Sequence, residues 1–330
     1  MSINLRSVGI LGTGSYVPEN KVTNFDMEKI VDTSDEWIRT RTGIGARHFA
    51  AEGEATSDLA TKAALKAMEA AGVTADEIDM VIVGTCTPDM LLPATACLVQ
   101  SNIGAVGSAA FDIETACSSF IYGLEIARNF IATGTYNKVL VIGAEKLSSI
   151  LNFEDRKTCV LFGDGAGAAI LGPVEDGKGI LSSELGADGS KGMVLKVDAG
   201  GSRMPATEQT VADKLHYLSM DGSEVFKFAV RIMGSASQRV IEEAGLTLDD
   251  IDYLVPHQAN MRIISSAAKK LKLPLDRVHV NLTEYGNMSA ASVPVALDEA
   301  IRAGKIKEGD KTVLVGFGGG LTWGACAIQW

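Results

Sequence analysis

The sequence predicts an α/β protein built from two copies of one β/α unit, and two observations support this fold class. The first is an internal repeat, because residues 70–81 match residues 243–254 at an offset of 173 (243 − 70). The second is that short apolar runs such as residues 80–84, typical of strands covered on both faces, alternate with segments of helical periodicity. We therefore expect two halves, residues 1–172 and 173–330, packed back to back.

Two shorter echoes follow the long match in the same order along the chain. The apolar run 139–141 corresponds to residues 313–315, and each run follows a segment that ends in glycine. Phe162-Gly163-Asp164-Gly165 corresponds in the same way to Phe317-Gly318-Gly319-Gly320. Chance supplies one match far more readily than three in one order, so we interpret the halves as duplicates.

Apolar spacing and turn residues predict the elements of each half. Apolar residues three and four apart indicate helices, and short continuous apolar runs indicate strands. Ser57 is a candidate N-cap for the helix that follows it. In chain order we expect a strand at 8–14, helices at 26–37 and 58–71, a strand at 80–84, a helix at 98–103, a strand-like approach at 106–113, a helix after residue 117, a strand at 139–142, a strand pair around 162–171, a helix after residue 257 and a helix at 293–301.

Three glycines in the strand pair could be mistaken for a dinucleotide-binding loop. Gly163, Gly165 and Gly167 lie between apolar strand residues, however, and no helix pattern follows them. A phosphate-binding loop needs a strand, a turn and a helix in succession. Close backbone packing is therefore the better interpretation of these glycines.

Composition and charge restrict the class of protein. The net charge of −11 makes nucleic acid an improbable partner, and the absence of an apolar run of membrane-spanning length predicts no membrane segment. Residues 1–6 are too short and polar for a secretion signal. The five cysteines form no C-x-x-C pair and the four histidines are scattered, which predicts neither disulfides nor a metal site. Together these features predict a cytoplasmic protein without a metal.

The first candidate reactive residue is Cys117. It follows a strand-like approach, and the apolar residues after it recur with helical spacing from Phe120 to Ile131. A thiol at the start of a helix feels unpaired N–H groups and the positive end of the helix dipole, which favour a thiolate. The position thus suits a nucleophile, although most free cysteines are simply small buried side chains.

The repeat places a histidine and an asparagine in loops that are candidates to meet Cys117. His257 follows the second-half equivalent of the strand at 80–84, and Asn287 lies at a corner that, like Cys117, precedes an apolar helix. Alone, His257 would be interpreted as an interior histidine and Asn287 as a turn residue. In a pseudo-symmetric pair, however, equivalent loops at strand ends can converge, and ligand sites in α/β sheets favour that edge. We therefore expect all three side chains at one site.

These motifs resemble those of a known family. Residues 115–120 (Thr-Ala-Cys-Ser-Ser-Phe), 256–260 (Pro-His-Gln-Ala-Asn) and 286–289 (Gly-Asn-Met-Ser) resemble the active-site motifs of β-ketoacyl-acyl-carrier-protein synthase III, a condensing enzyme of the thiolase superfamily. The resemblance extends over nearly the whole chain, with Ser119 and Met288 as departures where many members have glycine and threonine. It implies a thiolase-like fold, with two βαβαβαββ-type halves in a five-layered αβαβα arrangement, and a homodimer.

The resemblance also implies a reaction that initiates fatty acid synthesis. Cys117 would take the acyl group of a short acyl-CoA primer such as acetyl-CoA. His257 and Asn287 would then stabilise the enolate formed when malonyl-acyl-carrier protein loses CO2, and the backbone N–H groups of Cys117 and Gly319 would hold the oxyanion. The products would be a β-ketoacyl-acyl-carrier protein, CoA and CO2, with coenzyme A present as a substrate and no cofactor or metal required.

Further residues correspond to binding positions of the family. By resemblance, Trp37 and Arg156 would sandwich the adenine of coenzyme A, and Arg41 would reach its phosphates. Leu92 would close the partner subunit's acyl tunnel, and Phe317 would restrict the acyl pocket. The predicted docking patch for the acidic carrier protein consists of Lys227, Arg262, Lys269 and Lys270.

Several alternatives remain open from the sequence. A related condensing enzyme of secondary metabolism, or one that takes a long-chain primer, would use the same three residues. An inactive scaffold that binds acyl-carrier protein is a candidate of a different class. A cysteine protease also uses Cys, His and Asn, but the duplicated halves argue against it. Carrier-protein dependence and the accepted primer would separate these alternatives.

Overall fold

The strands of the chain form two large sheets and two small two-stranded sheets in the computed structural model, which describes residues 5–330. The first four residues, part of the stretch judged unlike a secretion signal, lie outside the described range. The strands are β1 Val8–Tyr16, β2 Asn20–Thr23, β3 Ala46–Phe49, β4 Met80–Gly84, β5 Ala109–Ile113, β6 Val139–Glu145, β7 Gly165–Pro173, β8 Gly179–Gly192, β9 Leu195–Val197, β10 Leu218–Met220, β11 Tyr253–Pro256, β12 Lys311–Gly318 and β13 Gly320–Gln329.

The helices alternate with these strands. They are α1 Asn24–Met27, α2 Asp35–Thr42, α3 Thr56–Ala71, α4 Thr95–Asn102, α5 Ser119–Ala132, α6 Glu208–Ala212, α7 Gly222–Glu243, α8 Met261–Lys270, α9 Leu282–Tyr285 and α10 Ser292–Arg302. Within the described part of the chain, no helix has both the length and the apolar character needed to cross a membrane.

The two large sheets have related topologies. The first has the order β1-β7-β6-β4-β5, in which β4 is parallel to both β5 and β6 while β7 is antiparallel to β1 and β6. The second has the order β11-β12-β13-β8, with β11 parallel to β12 and the other pairs antiparallel. Each sheet therefore combines parallel strands of β/α units with an antiparallel edge.

The helices form three layers around these sheets. Helices α5 and α10 contact both sheets and lie between them, α3 and α4 cover the outer face of the first sheet, and α7 and α8 cover the second. One buried apolar cluster lies in the central layer, and two others lie under the outer helices. This αβαβα arrangement confirms the predicted five-layered fold.

The duplication holds at the level of single residues. Met80 pairs with Val139 in the first sheet and Tyr253 with Thr312 in the second, so both partners are 173 residues apart (253 − 80 and 312 − 139). The structural equivalent of residues 139–141 is therefore 312–314, one residue before the segment that the sequence echo selected. The sequence comparison was displaced by one residue because neighbouring positions of this strand carry similar apolar residues. The strand pairing gives the correct alignment.

Three predicted elements differ from the structure. The helix expected at 26–37 is two short helices, α1 and α2, because the Ser34 side chain accepts a hydrogen bond from Trp37 N–H and starts a new helix. Ser57 is not an N-cap, since α3 begins one residue earlier and the Ser57 hydroxyl donates to Asp89 instead. The strand pair around 162–171 is the single strand β7, whose partners are β1 and β6. The three glycines lie in or beside this strand, which confirms the packing interpretation.

Candidate active site

The predicted nucleophile lies at a corner between a strand and a helix. β5 ends at Ile113, a single 3₁₀ turn covers residues 116–118, and α5 begins at Ser119. Ala116 has φ of 48°, a left-handed conformation that side chains other than glycine rarely adopt. The Ser119 hydroxyl accepts a hydrogen bond of 2.9 Å from Thr115 N–H and so holds the turn closed. Cys117 therefore lies in the turn that directly precedes the helix.

Burial determines the protonation of this thiol. Cys117 is buried, and loss of solvation raises the pKa of its thiol to about 12, with the charge of Glu145 acting in the same direction. The expectation that the helix start would favour a thiolate is therefore wrong, because the pKa of this thiol is raised instead. The desolvation of a buried charge outweighs the influence of the helix end.

His257 directly follows β11. Its backbone N–H donates to Val315 O at 2.7 Å, and its ring lies 5.3 Å from the Phe317 ring in an edge-to-face arrangement. Within residues 5–330 neither ring nitrogen has a hydrogen-bond partner, and burial lowers the pKa of His257 to about 3. The imidazole is therefore neutral at physiological pH, with one N–H group free to donate.

The backbone holds Asn287 from both sides. Its N–H donates to Leu161 O at 2.9 Å, and its carbonyl oxygen accepts from Gly163 N–H at 3.0 Å. The side-chain oxygen Oδ1 accepts from Ser289 N–H at 2.8 Å. Because Oδ1 is used in this way, the Nδ2 amino group is the end of the side chain that can donate to a ligand.

The structure brings the three predicted catalytic side chains to one place. Cys117, His257 and Asn287 all line a cavity of about 100 Å3, whose wall also includes Phe317. A second cavity of about 430 Å3 is also lined by Cys117, together with Gly319. Cys117 thus borders both cavities. Such a position gives one thiol access to two different binding partners.

A glycine leaves the backbone of Cys117 accessible. A Cβ atom at Gly318 would lie 2.6 Å from Cys117 N and 3.0 Å from Ala116 Cβ, closer than real Cβ atoms approach. The absence of a side chain at Gly318 therefore allows β12 to lie directly against the corner. The neighbouring Gly319, the predicted second oxyanion donor, lines the 430 Å3 cavity with Cys117.

The three residues predicted to bind coenzyme A form one cluster. The guanidinium groups of Arg41 and Arg156 lie 4.6 Å and 5.2 Å from the centroid of the Trp37 ring system. Arg156 also donates to Asp32 O at 3.0 Å. At 5.2 Å the guanidinium group packs directly on Trp37, so an adenine between these two residues requires Arg156 to move.

The predicted docking residues are exposed on α7 and α8. Arg262, Lys269 and Lys270 lie on one exposed face of α8, and Lys227 on α7 pairs with Glu224 at 2.7 Å. The Arg262 guanidinium group lies 5.0 Å from the ring centroid of Phe226, a residue of the 100 Å3 cavity wall. The patch therefore adjoins the cavity that contains His257 and Asn287.

Leu92 lies apart from both cavities in a single chain. It is 85% exposed, as is Leu91 beside it, and it belongs to the loop between β4 and α4. Phe317 is buried against His257. The structure thus places one predicted acyl-pocket residue beside the three catalytic candidates and the other on the surface.

Some residues around Cys117 carry no sequence signal of their own. Phe162 forms an isolated bridge with Asn287, and Leu195 lines both cavities. Cys86 lines the larger cavity, and Glu145 lies buried behind it. Only Glu145 could have been noticed, as a charged residue that ends the apolar run 139–144.

Comparisons with known proteins agree with this geometry. Residues 111–189 match the profile of the family described as 3-oxoacyl-[acyl-carrier-protein (ACP)] synthase III, and residues 241–330 match the profile of its C-terminal part. Within the described chain, no group of three or more His, Cys, Asp or Glu side chains could hold a metal ion.

Similar proteins cover almost the full length of the chain. The β-ketoacyl-[acyl-carrier-protein] synthase III of Clostridioides difficile is 62% identical over 322 residues, or 98% of each chain. The crystal structure of the Aquifex aeolicus 3-oxoacyl-[acyl-carrier-protein] synthase III superposes with a TM-score of 0.91 at 48% identity, covering 98% of this chain and 100% of that one. The priming β-ketosynthase of the R1128 polyketide pathway superposes with a TM-score of 0.92 at 35% identity, covering 99% and 97%. The chain therefore belongs to the β-ketoacyl-[acyl-carrier-protein] synthase III family.

Proposed function

We propose that this protein condenses a short acyl-CoA primer, such as acetyl-CoA, with malonyl-acyl-carrier protein and so initiates fatty acid synthesis. The observation that carries the proposal is the convergence of Cys117, His257 and Asn287 on one cavity. Each half of the chain contributes to the set, which agrees with a division into residues 1–172 and 173–330.

The first half-reaction transfers the acyl group to Cys117. The sulfur attacks the thioester carbon of the primer, the carbon–sulfur bond to coenzyme A breaks, and the thiol proton ends on the departing coenzyme A sulfur. The negative oxygen of the tetrahedral intermediate would lie between the backbone N–H groups of Cys117 and Gly319. We infer that the acyl chain then occupies the 430 Å3 cavity, because that cavity begins at Cys117 and has room for a short primer.

The second half-reaction needs hydrogen-bond donors and no base. Neutral His257 and the Nδ2 group of Asn287 would donate to the thioester oxygen of malonyl-acyl-carrier protein. The bond to the carboxylate breaks, CO2 leaves, and its electrons form an enolate whose charge these donors stabilise. The enolate carbon attacks the acyl carbon on Cys117, the carbon–sulfur bond breaks, and Cys117 takes up a proton from solvent as its sulfur leaves. The β-ketoacyl product then departs on the carrier protein.

Surface residues support the proposed substrates. Trp37, Arg41 and Arg156 form a cluster of aromatic and cationic groups suited to the adenine and phosphates of coenzyme A. The exposed basic residues Arg262, Lys269 and Lys270 with Lys227 would attract an acidic carrier protein. These contacts give an overall acidic protein a local site for anionic partners.

We further propose that the protein is a cytoplasmic homodimer that needs no metal or cofactor and binds neither nucleic acid nor membrane. The exposed Leu91 and Leu92 support the dimer, because apolar side chains of this size are usually covered by a partner. In that assembly Leu92 would close the partner subunit's acyl pocket, whereas Phe317, which lines the 100 Å3 cavity and not the 430 Å3 cavity, would restrict the space beside Cys117.

Mass spectrometry of the intact protein tests the reaction. After separate incubations with acetyl-, isobutyryl- and octanoyl-CoA, we expect the short donors to leave an acyl adduct on Cys117 that is absent in Cys117→Ala, whereas a preference for octanoyl-CoA would favour the long-chain alternative. Cys97→Ala is the matched control, since Cys97 is exposed and lines neither of the two cavities at Cys117, and it should still acquire the adduct. Adding malonyl-acyl-carrier protein should discharge the adduct as β-ketoacyl product. A protein that binds carrier protein but never becomes acylated would be a scaffold instead.

A further inference from the structure

Glu145 is a buried carboxyl group for which the proposed mechanism has no role. It is the last residue of β6, which is otherwise apolar, and none of its side chain is exposed to solvent. Burial of an ionisable group is costly unless hydrogen bonds compensate. The contacts of Glu145 therefore indicate what it does.

The carboxylate accepts hydrogen bonds from both halves of the chain. Thr87 Oγ1 donates at 2.6 Å, Thr85 Oγ1 at 3.2 Å and Cys86 N–H at 3.2 Å, all from the loop that follows β4. The Cys86 thiol approaches within 3.3 Å. From the second half, Ala290 N–H donates at 3.4 Å. Glu145 thus ties the loop after β4 to the turn at residues 289–291.

That turn is attached directly to Asn287. The Asn287 Oδ1 atom accepts from Ser289 N–H at 2.8 Å, so movement of the turn would rotate the amide that donates to substrate. Ser289 also has φ of 45°, a strained conformation that persists only where its surroundings hold it. Glu145 accepts from Ala290, the next residue, and so restrains the turn at its strained point.

The duplication explains why a carboxylate lies there. At the offset of 173, Ala290 is equivalent to Cys117 (290 − 117) and Gly318 is equivalent to Glu145 (318 − 145), so the predicted correspondence of Gly318 with Gly163 is wrong. Gly318 places no side chain over Cys117 N–H, whereas the Glu145 side chain lies at the equivalent position and accepts from Ala290 N–H. The Cys117 corner thus has no side chain over its N–H group, whereas the Glu145 carboxyl group closes the equivalent corner.

We propose that Glu145 is a positioning residue whose carboxylate holds the turn at residues 289–291, and through it the Asn287 amide, against the Cys117 corner. The inference rests on the proposed function, because it concerns the donors of the decarboxylation step. It assigns to Glu145 no contact with substrate. It predicts that loss of the carboxylate impairs decarboxylation more than transfer of the acyl group to Cys117.

Glu145→Gln tests this with little change in volume. The amide replaces one accepting oxygen with an NH2 donor, which meets donors from Thr87, Cys86 or Ala290 and leaves a buried contact unmade. We expect CO2 release from malonyl-acyl-carrier protein to fall by about tenfold to a hundredfold, the effect of a displacement on the order of 1 Å. Single-turnover acylation by acetyl-CoA should change by less than about threefold. Glu145→Asp keeps an acceptor and should lose less.

Asp298→Asn is the matched control. Asp298 is a second buried carboxyl group, on α10, and it accepts from Thr13 at 2.8 Å, Ser15 at 2.6 Å and Arg302 at 2.9 Å. Its loss should lower the melting temperature while changing the two half-reactions in equal proportion. If Glu145→Gln also changes them equally, or changes neither, Glu145 has no specific positioning role. Should Glu145→Gln not fold, the ratio of the two rates in Glu145→Asp decides in the same way. A wild-type protein that forms no acyl-Cys117 would instead contradict the proposed function.

Discussion

Burial keeps both the Cys117 thiol and the His257 imidazole uncharged at neutral pH. The thiol pKa is raised to about 12 and the imidazole pKa is lowered to about 3, so a thiolate–imidazolium pair does not form at neutral pH. A neutral imidazole suits the donor role better than an imidazolium. It still has one N–H group to donate, and it adds no positive charge to the buried site. The thiol must then lose its proton as it attacks the primer.

The low pKa of His257 predicts a change of stability with pH. The unfolded chain takes up a proton on this histidine below about pH 6.5, whereas the folded protein does not until about pH 3. The free energy of unfolding should therefore fall as pH decreases between these values, by about 2 kcal/mol at pH 5 for this group alone. Denaturant unfolding of wild type and His257→Gln at pH 5 and pH 7.5 measures it.

Comparing the pH dependence of the unfolding free energy between wild type and His257→Gln isolates the contribution of this histidine. His257→Gln should show a smaller decrease in stability on acidification than wild type. An equal pH dependence of His257→Gln and wild type would mean that His257 is not buried in its neutral form.

At the scale of the elements, the site depends on how closely β12 approaches the Cys117 corner. Gly318→Ala would place a Cβ 2.6 Å from Cys117 N. Either β12 or the turn that contains Cys117 would have to shift to make room for it. We expect the rate of acylation of Cys117 to fall by at least about tenfold, since small displacements of a nucleophile have large effects. Time-resolved mass spectrometry with acetyl-CoA measures this rate.

A second glycine in a strand provides the control. A Cβ at Gly189 in β8 would meet no atom within 4 Å, so Gly189→Ala should acylate at the wild-type rate. Wild-type acylation of Gly318→Ala would show that the corner tolerates a side chain there, and the close packing of β12 would then have no part in the chemistry.

For the whole molecule, the edge of the first sheet predicts how two chains associate. β5 is the last strand of that sheet, and its outer edge has no strand partner within the described chain. Leu92 and Val106, which are 85% and 89% exposed, lie in the loops that precede α4 and β5. An unpaired edge strand beside apolar side chains is a surface that another copy can cover.

Leu92→Arg should therefore weaken the proposed dimer. A buried charge without a partner destabilises an interface, so we expect the molar mass from light scattering to shift from two chains towards one at micromolar concentration. Leu65→Arg, at a half-exposed leucine on the outer helix α3, should leave the mass unchanged. A wild-type protein of one chain would contradict the dimer itself.

The sequence by itself determined the duplicated α/β architecture and the candidate residues. Both follow from local information: the 173-residue repeat, the periodicity of apolar side chains, and the motifs around Cys117, His257 and Asn287. Element ends were less accurate, as the division of residues 26–37 into two helices shows, because a cap depends on which neighbour a side chain contacts.

Only the tertiary structure decided the protonation of the site, its cavities and the place of Glu145. The pKa values of Cys117 and His257 follow from how completely other segments exclude water, and the helix start alone predicted the wrong direction for the thiol. Glu145 meets Ala290 across the two halves, 145 residues apart in the chain. Desolvation and contacts between distant segments depend on packing, which no local pattern in the sequence records.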